Sequence, residues 1–146
     1  VLQLSTKGRY ATRIMVYLAM QPQGVPVPKQ EIAQSEQISA DYAEQILRVL
    51  KSAGLVASHR GVKGGFTLAR DPERITVADV LDATEGAVDL APCVRDECRR
   101  ATQCVTRRLW RDASSCLSRI FGATTIRALA GEALEMAQSK VLIYDI

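Results

Sequence analysis

The stretch Pro28-Lys29-Gln-Glu-Ile-Ala-Gln34, Ser35-Glu-Gln-Ile-Ser39, Ala40-Asp-Tyr-Ala-Glu-Gln-Ile-Leu-Arg-Val-Leu-Lys-Ser-Ala53, closed by Gly54, decides the fold. Pro28 sits where a first helical turn tolerates proline, because the missing N–H has no intrahelical partner there. A short helix over 29–34 with Ile32 and Ala33 as apolar contacts is therefore expected. Ser39 is placed to cap a longer helix over 40–53. Tyr42, Ile46, Val49, Leu50 and Ala53 mark its expected core face, and Asp41, Glu44, Gln45, Arg48 and Ser52 the opposite one. Gly54 supplies the left-handed closure. Short helix, tight turn and longer helix form a helix-turn-helix, which lays its second helix in a DNA major groove.

Downstream, residues 55–60 and 66–70 read as two short strands around Gly61-Val-Lys63-Gly64-Gly65, a tip carrying Arg60 and Lys63. A basic hairpin directly after a helix-turn-helix is a wing, and an arginine there suits a narrowed A·T minor groove. His59 reads as a strand residue rather than a ligand. Upstream, Tyr10, Ile14, Tyr17 and Leu18 give residues 7–20 a helical period, with Ser5 or Thr6 as cap and Lys7, Arg9 and Arg13 on the polar side. Beyond the wing, Thr76 and Asp79 form a capping box for a helix ending near Gly86.

Charge is distributed to match. Residues 1–70 hold nine Lys and Arg against four Asp and Glu, whereas residues 71–146 hold ten against twelve. A basic first half is the electrostatic footprint of a nucleic-acid partner, although a merely solvated basic surface looks the same. No apolar run approaches the roughly 18 residues of a membrane span, so a cytoplasmic protein without membrane attachment is expected.

Three of the four cysteines, Cys93, Cys98 and Cys104, fall in one segment without helical or strand-like apolar period. Their spacing lets a loop wrap three soft thiolates around one centre, as iron–sulfur clusters, zinc or copper(I) require. Arg95, Arg99, Arg100, Arg107 and Arg108 would lower thiol pKa values and offset the charge of a thiolate site. A reversible disulfide and a structural zinc are the competing readings; the latter lacks a fourth Cys or His. An enzyme or cluster carrier with a winged-helix docking module is a third, but no acid, base or pocket signature accompanies the cysteines.

From Val105 the pattern turns helical. Val105, Leu109, Ala113, Cys116, Leu117 and Ile120 share a stripe, with Arg107, Arg111, Ser115 and Arg119 outside it. Such a helix, roughly 25 Å long, needs a partner, and the commonest is its own copy in a twofold dimer. Cys116 on that stripe reads as core. Thr125 is placed to cap a last helix carrying Ile126, Leu129, Ala130, Ala133, Leu134 and Ala137, before an apolar tail.

Taken together, Leu4-Ser-Thr-Lys-Gly-Arg-Tyr-Ala11, Glu31-Ile-Ala, Ile38-Ser, Tyr42-Ala-Glu-Gln45, Leu55-Val, Arg60-Gly with Gly64-Gly65, and the three cysteines before Leu109-Trp110-Arg resemble the Rrf2 family of bacterial regulators, in particular its IscR-like and NsrR-like members. The resemblance runs to about residue 138. It implies a dimeric winged-helix transcription factor, expected to be a repressor, that senses cluster status, nitric oxide or redox state, and not an enzyme. It assigns base and groove contacts to Ser39, Tyr42, Glu44, Gln45 and Arg60. To these the helix face and the wing add Arg48 and Lys63. It also assigns ligation of an iron–sulfur cluster, of the two-iron two-sulfur type, to Cys93, Cys98 and Cys104. Ala43 stands where leucine is usual, and Arg107 where IscR-like members carry histidine. Arginine offers donors only, so it does not replace that ligand on iron. The fourth position falls to an oxygen of Asp96, Glu97 or Asp112, to another part of the dimer, or to a small exchangeable ligand.

The expected architecture is mainly α: a winged helix-turn-helix with a two-stranded wing over 1–86, a cysteine-rich cluster-binding loop over 87–104, and dimerisation helices with a C-terminal tail over 105–146. The expected partners are operator DNA and a second copy of the chain.

Overall fold

A computed structural model describes residues 3–144, the last four by backbone alone. The first helix, α1 (Thr6–Met20), starts at Ser5, whose hydroxyl accepts from the Gly8 N–H at 3.0 Å. Ala11, Ile14, Met15 and Leu18 form its buried stripe. Helix α2 (Lys29–Glu36) ends at Gln37 in the left-handed conformation, φ 56°, which turns the chain sharply into α3 (Ala40–Ser52). Ser39 caps α3 by accepting from the Tyr42 N–H at 3.1 Å.

The buried face of α3 is Ala43, Ile46, Leu47 and Leu50. The expected stripe was rotated by about one position: Ala53 is exposed, while Tyr42 and Val49 lie at the margin. The small side chain of Ala43 allows the helix to settle on that edge. Tyr42 is left at the rim, edge-on to Tyr10 at 6.1 Å between ring centroids.

Strands β1 (Val56–His59) and β2 (Gly65–Leu68) pair antiparallel, with Val56 opposite Leu68 and His59 opposite Gly65. Val27, in the connection between α1 and α2, exchanges two 2.9 Å backbone hydrogen bonds with Phe66. The wing is thereby fastened to the helical body at the tip-proximal end of β2. His59 Nε2 meets Thr67 Oγ1 across the strands at 2.9 Å, the strand role its sequence suggested.

After a 3-10 turn at Pro72–Arg74, α4 (Val77–Thr84) carries the full capping box: the Thr76 N–H donates to Asp79 Oδ2 at 2.8 Å and the Asp79 N–H to Thr76 Oγ1 at 3.2 Å. One helical turn, α5 (Pro92–Arg95), interrupts the cysteine segment, which the sequence had shown as irregular throughout. Then come α6 (Val105–Ala123) and α7 (Ile126–Tyr144).

Backbone hydrogen bonds from Val77 N–H to the Thr124 carbonyl (2.9 Å) and from Ile126 N–H to the Ile75 carbonyl (2.8 Å) clamp the start of α7 beside the start of α4. Ile126 joins Ile14, Met15, Ile32, Ile46, Leu47, Leu50, Leu55, Ile75 and Val80 in one core. Each such side chain contributes about 1.5–3 kcal/mol on full burial. The first half of α7 therefore packs with the winged helix, whereas the sequence pattern groups it with the dimerisation helices over 105–146. The apolar stretch over 141–146 lies outside the described side chains.

Helix α6 packs on α4 and α5, but among its described residues only Ser114 is buried. Ser114 satisfies its hydroxyl by donating to the Trp110 carbonyl at 2.8 Å and accepting from the Leu90 N–H at 3.0 Å. The stripe of Val105, Leu109 and Ile120 faces outward, and Cys116, expected in the core, is exposed. A helical period reveals that a helix has two faces; it does not say which of them meets its own chain.

Candidate nucleic-acid interface and cysteine loop

Capping by Ser39 and burial of the Ala43, Ile46 and Leu50 edge leave Ser39, Gln45 and Arg48 exposed, with Glu44 beside them. The structure thus leaves Ser39 exposed at the start of α3 and Glu44, Gln45 and Arg48 outside its buried face, with Tyr42 at the margin. Arg60 and Lys63 are exposed on the wing, as is Val62 at its tip.

Glu44 does not stand as a free carboxylate. Lys29 Nζ, from the first residue of α2, lies 2.5 Å from its Oε2, and Arg48 Nη2 lies 3.4 Å from its Oε1. The Lys29 hydrogen bond and charge, with a smaller share from Arg48, hold the carboxyl below the usual carboxylate range. The i,i+4 partner Arg48 was legible in the sequence; Lys29, the nearer one, was not.

Two other supports have no signal in the sequence pattern. Arg13 lies over the Tyr10 ring, 5.2 Å from its centroid, and Tyr10 backs Tyr42. The Arg13 Nε also approaches the buried Glu36 Oε2 to 2.6 Å, off the hydrogen-bond axis, and that oxygen has no other partner.

Glu85, just beyond α4, reaches the start of α1. Its Oε1 accepts from the Ser5 N–H at 3.2 Å and from the Ser5 hydroxyl at 2.7 Å, directly above Gly8, where a Cβ would meet it at 2.0 Å. Immediately beyond begins the cysteine loop. Arg95 Nε donates to Asp89 at 2.7 Å, and Arg107 Nε donates to the Cys93 carbonyl at 2.6 Å. Together with the Leu90–Ser114 bond, these contacts fix the loop's entry against α6, into which its far end runs at Cys104.

Cys93, Cys98 and Cys104 are all partly exposed free thiols. Among the described residues no three Cys, His, Asp or Glu side chains are gathered into a metal-ligating group, so the loop has to close further to bring its three sulfurs to one centre. The Cys104 Sγ lies 3.2 Å from Thr106 Oγ1. That hydroxyl, then the Arg107 backbone N–H, and last the charge of Arg100, push the Cys104 thiol below the ordinary range.

Because the thiolate is the reactive form, the pH midpoint of Cys104 alkylation in metal-free protein is expected to rise in Thr106→Val. Mass-spectrometric alkylation rates across pH would show this, and an unmoved midpoint would refute it.

Comparison with known proteins agrees with this architecture. Residues 4–132 match the Rrf2 family, described as an iron-dependent transcriptional regulator. The chain is 39% identical over 129 residues to the HTH-type transcriptional regulator IscR of Xenorhabdus nematophila, covering 88% of this chain and 79% of that one. The structure of CymR, the global cysteine regulator of B. subtilis, superposes with TM-score 0.78 at 35% identity over 90% of this chain and 98% of that one. T. potens IscR gives TM-score 0.73 at 31% identity, over 90% and 88%. Among the described residues no helix is long and apolar enough to cross a membrane. The chain belongs to the Rrf2 family of winged-helix, DNA-binding transcriptional regulators.

Proposed function

We propose that this regulator is a homodimer that reads operator DNA with α3 and the wing, and that its affinity is set by an iron–sulfur cluster on Cys93, Cys98 and Cys104. The observation that carries this reading is the position of the cysteine loop: it lies between α4 of the winged helix and α6, is hydrogen-bonded to α6 at its entry through Leu90 and the Cys93 carbonyl, and runs directly into α6 at Cys104. Base and groove contacts fall to Ser39, Tyr42, Glu44, Gln45 and Arg48, and the wing contributes Arg60 and Lys63. The outward Val105, Leu109 and Ile120 stripe of α6 is the surface a second copy would cover.

The donor set fits a cluster in its chemistry: three thiols, one of them acidified, among arginines that offset thiolate charge. When bound, a cluster supplies a redox- and nitric-oxide-sensitive cross-link between the three sulfurs. The chain does the rest. Ser114 and Arg107 couple the order of the loop to α6, while Glu85 couples its entrance to α1. The separation of two winged helices across a dimer then depends on whether the loop is closed. DNA affinity shifts only to the extent that the closed and open forms bind differently.

Visible spectra with iron and sulfide content of anaerobically purified protein, combined with capture of duplexes from a genomic pool, test the proposal. Charge-transfer absorption and a change of about 5- to 150-fold in operator affinity on cluster removal are expected. A colourless protein that resists reconstitution would instead favour a cluster-free thiol switch. Arg107 is the observation that supports that second reading, since it fastens the Cys93 carbonyl rather than offering a fourth ligand.

Arg60→Ala is expected to weaken binding by about tenfold, most strongly on A·T-rich flanks, because an arginine in a narrowed minor groove reads shape. Equal loss on every flank, measured by fluorescence anisotropy, would make Arg60 a phosphate contact instead.

A further inference from the structure

We infer that Lys29, outside the face presented to DNA, is a specificity-determining positioning residue that acts through Glu44. This rests on the reading of α3 as the helix that meets base edges. A carboxylate on such a helix faces a dense array of phosphates and lowers affinity unless its charge is met within the protein. It also has one specific use, accepting from the cytosine amino group.

The structure meets the charge asymmetrically. Lys29 Nζ, only about a quarter exposed, is at 2.5 Å from Oε2; Arg48, mostly exposed, is at 3.4 Å from Oε1. Oε2 is thus occupied by a partner anchored on another helix, 15 residues away, while Oε1 has only a long contact to a solvent-exposed side chain. Lys29 therefore does two things at once. It cancels the repulsion, and it holds the carboxylate with one oxygen available for a donor. Without Lys29, Glu44 keeps a charge that Arg48 offsets loosely, and its carboxylate is free to rotate.

A double-mutant cycle read by base preference tests this. Unsubstituted protein, Lys29→Met, Glu44→Gln and the double variant are each equilibrated with a randomised duplex library, bound DNA is sequenced, and affinities are measured on the selected duplexes at several salt concentrations.

The unsubstituted protein is expected to select cytosine at one position of each half-site. Lys29→Met should reduce that preference by about fivefold or more, and Glu44→Gln should remove it. Lys29→Met made in the Glu44→Gln background should change the preference no further.

If Lys29→Met weakens all duplexes equally in both backgrounds and lowers the salt slope by about one, Lys29 is a phosphate contact and the inference is overturned. An unchanged cytosine preference in Lys29→Met overturns it as well. Failure of the unsubstituted protein to select any sequence would bring down the reading of α3 itself.

Discussion

Alanine at Cys93 is expected to strip the protein of iron and sulfide and to make operator affinity indifferent to treatments that remove a cluster, while the fold survives. The argument depends on which atom of Cys93 does what. Its carbonyl, which accepts from Arg107, is backbone and is retained in Cys93→Ala. Only the partly exposed sulfur is lost. A substitution away from the core of this kind costs within about 0.5 kcal/mol of stability. The loss is then chemical rather than structural, and metal analysis, anisotropy titration and urea unfolding together separate the two. Unaltered iron content and an unaltered response in Cys93→Ala would sink the loop as the sensor.

The second large effect is expected where β2 of the wing meets the segment between α1 and α2. In Gly65→Val a Cβ at Gly65 would lie 2.3 Å from the Val27 carbonyl oxygen, and the neighbouring atoms are backbone, with no flexible side chain to yield. The residue also sits at φ 154°, where a β-branched side chain is strained. Either β2 shifts or the paired hydrogen bonds between Val27 and Phe66 break. A loss of about 3 kcal/mol or more is expected, read as a lowered urea midpoint together with lost DNA affinity. Gly61→Ala provides the contrast: its φ is also positive, at 108°, but the space around it is open, so a cost of about 1–2 kcal/mol is expected there. Equal destabilisation by the two substitutions would show that backbone strain, not the contact with Val27, governs the site.

The helix-turn-helix was legible because its signals are local. Ser39 as a cap, the Thr76 and Asp79 box, and Gly54, at φ 70° just beyond α3, each act within three or four residues of their partners. The rotation of the α3 core face was hidden because size and polarity favour Tyr42 as a core residue, whereas close approach of neighbouring helices favours Ala43. The Lys29–Glu44 pair was hidden because 15 residues and a left-handed turn at Gln37 separate the partners, so no helical period connects them. Ser114, which belongs to neither the apolar stripe nor the outer face that the sequence marks on α6, is buried with its hydroxyl satisfied by the Leu90 N–H and the Trp110 carbonyl, a pairing that no helical period shows. The cysteines announced a chemistry through their number and crowding, but the one-turn helix at Pro92–Arg95 and the Arg107 clasp belong to three-dimensional closure.

The Leu90–Ser114 hydrogen bond joins residues 24 apart into a ring of chain, and Cys93, Cys98 and Cys104 lie inside it. The entropy of closing a flexible ring grows only logarithmically, by about 0.6 kcal/mol per doubling of length. Insertions or deletions between the cysteines are therefore tolerated almost without cost to the body, whereas exchange of Ser114 for an apolar residue opens the ring. The chemistry of the loop can be changed by altering the interior of this ring while the winged helix that precedes it stays the same.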